Sequence, residues 1–367
     1  MHICFIILNS FDYDSRARLI CHDIISSGFE LDIIATEGSG SDDFEGAPIH
    51  RICQRTRPFR QRRFIEFNLE AAAIASRLPV DIFHAVDLDT LWAAATAARY
   101  RRTKIVYEAR ELYTELLALK HRTLVTRFWR RLEKKYIRRA DAVITINLSI
   151  AGELVKRYGI AHPEIVYNVA AAQKTDRSVN LRNEYQLDCK HILIYQGILR
   201  PGQGLTRMFQ ALVDLQDVGL VIVGDGPERD NMEALIRKLG ITNQVRFTGL
   251  VDPDRLQEYT SGADAGVLLM ENIALNNYLA LPQKLFQYIM SETPPIVSDM
   301  PELRRIVQND NLGLVLPGET AEEDAAAIGK FLESDIKRAA ANCRQAKTQY
   351  CWEVEGRKII EIYKGLG

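Results

Sequence analysis

Several things are scarce in this chain, and each scarcity removes a class of function. The six cysteines, Cys4, Cys21, Cys53, Cys189, Cys343 and Cys351, nowhere form a C-x-x-C pair. Neither a disulfide framework nor a structural zinc site is therefore expected, and free thiols in a reducing cytosol fit the pattern. No apolar run approaches the roughly 18 residues needed to cross a bilayer. The apolar opening at 4–8 has no basic segment ahead of it and is too short for a signal-peptide core, so the chain is expected to be neither integral nor secreted by that route. Net charge is nearly absent, −1 from 47 basic and 48 acidic residues. A dinucleotide fingerprint is missing as well. The stretch Gly224-Asp-Gly-Pro-Glu228 would need a third glycine where Arg229 stands, and it does not follow the opening strand of a domain. No recognised nucleic-acid module accompanies the basic segments, so nucleic acid is not an expected partner.

What is present is a chain of 367 residues with 47% hydrophobic and 26% charged residues, long enough for two ordinary globular domains. Short β-rich runs at 3–8, 31–35, 81–84, 104–107 and 142–146 alternate with helical patterns. That alternation predicts right-handed βαβ units around a parallel sheet. After a polar, non-periodic stretch at 173–183 the same pattern restarts, with runs at 191–196, 219–223, 244–247, 265–269 and 295–298. The expected organisation is a Rossmann-like domain over 1–168, a linker over 169–183, a second such domain over 184–350 and a terminal amphipathic helix over 351–367. Ligands of open α/β sheets sit outside the carboxyl ends of the strands, so the chemistry is expected on loops there, in a cleft between two facing domains.

Three local features carry chemistry. The loop YQGILRPGQG at 195–204 places three glycines before a helix, where small residues let an anionic phosphate approach backbone N–H groups; a plain turn is the alternative. In ALPQKLFQY at 280–288 a helix begins at Pro282 with Lys284 in its first turn. A cation there opposes the helix dipole, so a bound anion explains it better than helix stability does, although a solvated surface lysine reads the same way. Charge is also strongly local. Six arginines and no acid occupy 51–63, and nine Lys or Arg against the single acid Glu133 occupy 120–139, where Leu124, Val125, Phe128, Trp129, Leu132 and Tyr136 are interleaved at helical spacing. An anionic membrane surface would suit that face. A helix flank with Phe128 and Trp129 in the core would suit it equally.

These segments resemble the retaining glycosyltransferases of family 4. In the second half the matching blocks are the glycine loop, LVIVGDGPE at 220–228, VRFTG at 245–249, and 280–288 continuing to SDMPEL at 298–303. In the first half they are DSR at 14–16, HAVDLD at 84–89, VYEARELYTE at 106–115 and RADAV at 139–143, and Trp352 with its helix resembles the family's crossover helix. The resemblance implies a GT-B fold, two facing Rossmann-like doubly wound domains with a C-terminal helix crossing back to the first. It implies a nucleotide-sugar donor in the second domain, with Gly197, Arg200, Gln203 and Gly204 at the diphosphate, Gly224, Gly226 and Pro227 at the nucleotide, Thr248, Leu250 and Val251 at the base, and Lys284 and Gln287 at phosphate and ribose. Asp14, Arg16, Asp87 and Asp89 fall on the acceptor side, with Arg110 and Glu111 as catalytic candidates. No cofactor and no obligate metal are implied. The acceptor is a glycan or a lipid-linked group, and the location is cytoplasmic, peripheral at the inner face of the membrane.

The chain departs from the family at charged positions. Ile198 and Gln203 stand where an arginine and a lysine usually neutralise the leaving diphosphate, Gln287 replaces the ribose-binding acid, and Leu279 replaces the acid eight residues earlier. Glu108 and Arg110 replace the aspartate and histidine of the N-domain block. Two readings follow: an enzyme in which Arg110, Arg200 and Lys284 restore the missing charge, or a degenerate fold that binds or scaffolds another glycosyltransferase. If Arg110 supplies the missing charge, Lys at position 203 should recover part of the activity lost in Arg110→Ala; the plainer alternative for Arg110 is an ion pair with Glu108 or Glu111 that merely shapes the loop.

Overall fold

The computed structural model describes residues 1–53, 60–171, 177–316, 318 and 320–367, with the side chains of 60–62 outside the description. The chain separates into two compact units, Met1–Asn168 with Trp352–Gly367, and Val169–Cys351.

In the first unit the strands are β1 (His2–Ile6), β2 (Glu30–Thr36), β3 (Asp43–Phe44), β4 (Ala47–Ile52), β5 (Ile82–Val86), β6 (Lys104–Ala109), β7 (Ala142–Thr145) and β8 (Glu164–Ile165). They form one sheet in the order β3-β4-β2-β1-β5-β6-β7-β8, parallel except where β3 pairs with β4. The helices are α1 (Ser15–Ser26), α2 (Arg60–Ala75), α3 (Leu88–Arg101), α4 (Thr123–Tyr136) and α5 (Leu148–Tyr158). β1 and β5 are apolar runs buried on both faces, as strands covered by helices on each side must be. Local signals set the helix starts: the Asp14 side chain accepts from Ala17 N and caps α1, and Asn147 caps α5 through Ile150 N.

The second unit runs α6 (Leu181–Glu184), β9 (His191–Gln196), α7 (Leu205–Leu212), β10 (Val218–Val223), α8 (Arg229–Leu239), β11 (Val245–Gly249), α9 (Leu256–Thr260), β12 (Ala265–Leu268), α10 (Leu275–Tyr278), α11 (Gln283–Met290), β13 (Pro295–Ser298), α12 (Pro301–Asn309), β14 (Leu314–Leu316), α13 (Ala321–Ser334) and α14 (Ile336–Ala346). Its parallel sheet has the order β11-β10-β9-β12-β13-β14. The apolar faces of α7 and α13 close over it, with Met208, Phe209, Ile328 and Phe331 among the buried residues.

The last helix, α15 (Trp352–Leu366), belongs to the first unit. Trp352 Nε1 donates to Asp23 Oδ2 of α1 at 2.9 Å, and Tyr363 OH lies 2.6 Å from His84 Nδ1 on β5. Gly356 makes the approach possible, since a Cβ there would stand 2.1 Å from Asp23 Oδ2. Among the described residues no helix is long and apolar enough to cross a membrane.

Candidate functional site

Strand order locates the sites before any side chain is considered. In the first sheet β1 is flanked by β2 on one side and β5 on the other; in the second, β9 is flanked by β10 and β12. Connections leave in opposite directions at such points and open a crevice outside the carboxyl ends of the strands. The residues following β1 and β5, and those following β9 and β12, are the ones to inspect.

In the first unit that edge is a mesh of paired charges. Arg110, just beyond β6, donates through Nη1 to Asp14 Oδ2 at 2.7 Å and through Nε to Asp87 Oδ2 at 2.9 Å, while its backbone N–H reaches Asp87 Oδ1 at 3.0 Å. Asp87 has φ 59° and ψ 171°, a conformation that costs a non-glycine residue about 1–3 kcal/mol. The bonds to Arg110 and from its own N–H to Glu108 O at 2.8 Å hold it there. Asp89, in the first turn of α3, is half-buried. Burial, and then the neighbouring Asp87 charge, push its carboxyl up to about 8 against the opposing pull of Arg110. Glu111 is exposed.

Behind this edge lies a second, fully buried pair. Arg16 Nε donates to Glu108 Oε1 at 2.7 Å, and its other nitrogens reach Tyr167 O at 2.7 Å and Val166 O at 3.1 Å. Burial would raise the Glu108 carboxyl, but Arg16, His84 and Arg110 together outweigh it and hold the group well below the usual carboxylate range.

These contacts bear on three expectations. Arg110 is not a free positive charge, because the carboxylates of Asp14 and Asp87 already compensate it. Arg16 is buried under α15 and spends its donors on Glu108 and backbone carbonyls, so it presents none to an acceptor. Of the basic run at 51–63, Arg51 is bound to Asp12 and Asp42, and residues 54–59 lie outside the described residues.

The edge of the second sheet is built differently. Gly197, with φ 129°, lets Lys284 lie against the loop, since a Cβ there would be 2.6 Å from Lys284 Cε. Gly204 has φ 67°, and its Cβ would meet Leu269 O at 1.6 Å; Gly224, with φ 138°, backs onto Gly197 O, and Gly226 onto Leu199 O. The ends of β9 and β10 thus touch through bare backbone, and Gly224 N donates to Gly249 O of β11 at 2.9 Å. Lys284 Nζ donates to Gln203 Oε1 at 2.8 Å and to Tyr195 OH at 3.0 Å, and lies 4.4 Å from the centre of the Tyr195 ring. Gln203 is buried and already serves as acceptor for this ammonium, so a lysine at 203 would set two cations side by side rather than restore one. Arg200, Ile198 and Leu250 are exposed on the rim, and Pro227 precedes α8. Thr248 donates its hydroxyl to Gly249 O at 2.8 Å.

Gln287 faces another neighbourhood. Its Oε1 lies 2.6 Å from Gln196 Nε2, and Gln196 Oε1 lies 2.7 Å from the Thr260 hydroxyl. These residues line an open pocket with Pro253, Leu256 and Met290. Gln196, Thr260 and Tyr195 were not singled out from sequence. Tyr195 could have been, as the aromatic residue two positions before a glycine that a lysine packs upon.

Residues 16–170 match the family profile Glycosyltransferase Family 4, and 179–349 match Glycosyl transferases group 1. Among curated relatives, the α-D-kanosaminyltransferase of Streptomyces kanamyceticus is 24% identical over 250 residues, covering 64% of this chain and 63% of that one. A GDP-mannose-dependent α-(1-6)-phosphatidylinositol monomannoside mannosyltransferase of Mycobacterium tuberculosis is 23% identical over 193 residues, 50% of each chain. The chain thus spans about half to 63% of the length of these relatives. Among solved structures, a sucrose-phosphate synthase of Thermosynechococcus elongatus superposes with TM-score 0.80 at 18% identity over 100% of this chain and 99% of that one. Anabaena HepE in complex with UDP and glucose superposes with TM-score 0.75 at 16% identity over all of both chains. The fold is GT-B.

Proposed function

The chain belongs to glycosyltransferase family 4, and on that premise we propose that it moves a sugar from a nucleoside diphosphate donor to an acceptor hydroxyl with retention of anomeric configuration. The observation that carries the reading is the ammonium of Lys284 at the carboxyl edge of the second sheet, held by neutral partners beneath the glycines that bare the backbone. Gly197, Arg200, Gln203, Gly204 and Lys284 would take the diphosphate, Gly224, Gly226 and Pro227 the nucleotide, Thr248, Leu250 and Val251 the base, and Gln287 a ribose hydroxyl without charge assistance. That HepE was solved with UDP and glucose supports a nucleotide-sugar donor.

The acceptor side is Asp14, Asp87 and Asp89 in the first unit, with Arg110 holding two of these carboxylates and Glu111 exposed beside it. As the bond from C1 to the departing diphosphate breaks, the acceptor oxygen bonds to C1 on the same face and its proton passes to the leaving phosphate. The protein's part is then position and charge. Calorimetric titration with UDP-, GDP- and ADP-sugars, followed by a transfer assay with the one that binds, tests this. Saturable binding is expected, and silence from all three classes would overturn it.

For the acceptor's location we favour an anionic membrane surface at the inner, reducing face. The support is α4: Trp129, Leu132 and Tyr136 turn inward, while Leu124 and Phe128 remain 77% and 48% exposed among Arg127, Arg130, Arg131, Lys134 and Lys135. The helix's one acid, Glu133, is buried against the hydroxyls of Tyr107 and Tyr158, so it does not dilute that face. Salt-sensitive sedimentation with phosphatidylglycerol vesicles, lost in Leu124→Ser/Phe128→Ser, is the expected result; no sedimentation at low salt would remove the membrane from the account.

A further inference from the structure

Resting on the donor reading above, we propose that donor binding is coupled to protonation of Lys284: the amine takes up a proton from solvent as the diphosphate arrives, and this lysine thereby reads the donor's charge. The surroundings of the amine argue for it. Both hydrogen-bond partners, Tyr195 OH on β9 and Gln203 Oε1 in the glycine loop, are neutral. The charged group that acts on it is Arg200, of the same sign. Its place in the first turn of α11 sets it against the positive end of the helix dipole as well. Tyr195 supplies no counter-charge, because burial pushes its phenol well above the ordinary value.

Only the neutral acceptors Gln203 Oε1 and Tyr195 OH and the Tyr195 ring face favour its charged form, and among the described residues no carboxylate is hydrogen-bonded to it. Burial first, and then Arg200, bring the amine down to about 7. Two negative oxygens of a diphosphate within reach would reverse the balance and return it toward the value of an ordinary lysine. Ile198 and Gln203 carry no charge, so this burden falls on Lys284 and the exposed Arg200.

The linkage has a definite sign. The bound form holds more protons than the free form around and above about pH 7, so affinity is greatest below that pH and falls as pH rises through it, approaching tenfold per unit well above it, until the bound amine itself titrates.

The test is calorimetric titration of the full chain with UDP-, GDP- and ADP-glucose at pH 7 and pH 8, in pairs of buffers that differ in ionisation enthalpy. Sugar diphosphates suit this because they lack the terminal phosphate whose second proton titrates near pH 6. Proton uptake is expected at both values and is larger at pH 8 than at pH 7. Lys284→Arg, whose guanidinium stays charged throughout, should bind nucleotide sugar with no proton uptake and a flat pH profile. Binding by the unaltered chain with identical heats in both buffers overturns the coupling and leaves the donor reading standing. If none of the three compounds binds, both fall together.

Discussion

The carboxyl edges of the two sheets occupy equivalent places in equivalent architectures, yet they treat charge in opposite ways. In the first, the cations described meet carboxylate: Arg110 at the edge lies between Asp14 and Asp87, and Arg16 behind it is spent on Glu108. In the second, Lys284 is held by an amide and a phenol, and Arg200 is exposed. An edge whose charges are already paired is finished before a ligand arrives and acts by shape and fixed hydrogen bonds. An edge with a cation among neutral groups is completed by an anion.

The largest expected effect breaks the finished edge. Arg16→Ala would leave Glu108 buried without its counter-charge and two backbone carbonyls without donors, lowering stability by about 4 kcal/mol. Urea unfolding followed by far-UV circular dichroism measures this, and a loss below about 1 kcal/mol would mean that water replaces the pair.

That pairing was hard to read in the sequence, and the reason is instructive. Repeating apolar runs displayed ten of the fourteen described strands, because strands covered on two faces are uniformly apolar, whereas β3 and β8 are two residues each and carry no pattern. β4 escaped notice since APIHRI carries a proline, a histidine and an arginine, and β14 is only three residues long. The site was legible as backbone, through Gly197, Gly204, Gly224 and Gly226, and as residue type at Lys284. Partners were not legible. Arg110 and Asp14 stand 96 residues apart and Lys284 and Gln203 81, so composition and spacing could suggest a cation but not whether a carboxylate awaited it.

Next in size is the backbone of the unfinished edge. Gly204→Ala would force a Cβ against Leu269 O at a positive φ. It should weaken nucleotide-sugar binding about a hundredfold, close to 2.7 kcal/mol, by calorimetry.

A smaller effect separates function from stability on the first edge. Because the Asp89 carboxyl is raised to about 8 when folded against about 3.9 when unfolded, the folded state holds the extra proton between those values. Its presence therefore costs progressively more stability as pH rises from about 4 to 8. Asp89→Asn should raise the urea midpoint at pH 8, with a gain that vanishes at pH 4, while impairing acceptor use. An equal shift at both values would detach it from ionisation.

The smallest expected change widens the difference between the two edges. Ile198 is exposed on the rim, so Ile198→Arg adds a cation without burying it. Nucleotide-sugar affinity should rise about three- to tenfold, roughly 1 kcal/mol, and the rise should shrink in high salt.

One measurement tests the division of labour most directly: hydrogen–deuterium exchange of the full chain with and without a saturating amount of the nucleotide sugar that binds. Protection is expected across 196–204, 224–228, 249–251 and 283–287, with 14–16, 87–89 and 108–111 unchanged. Protection confined to the first unit's segments, with the glycine loops of the second unaltered, would contradict the assignment of the donor to the edge that carries Lys284.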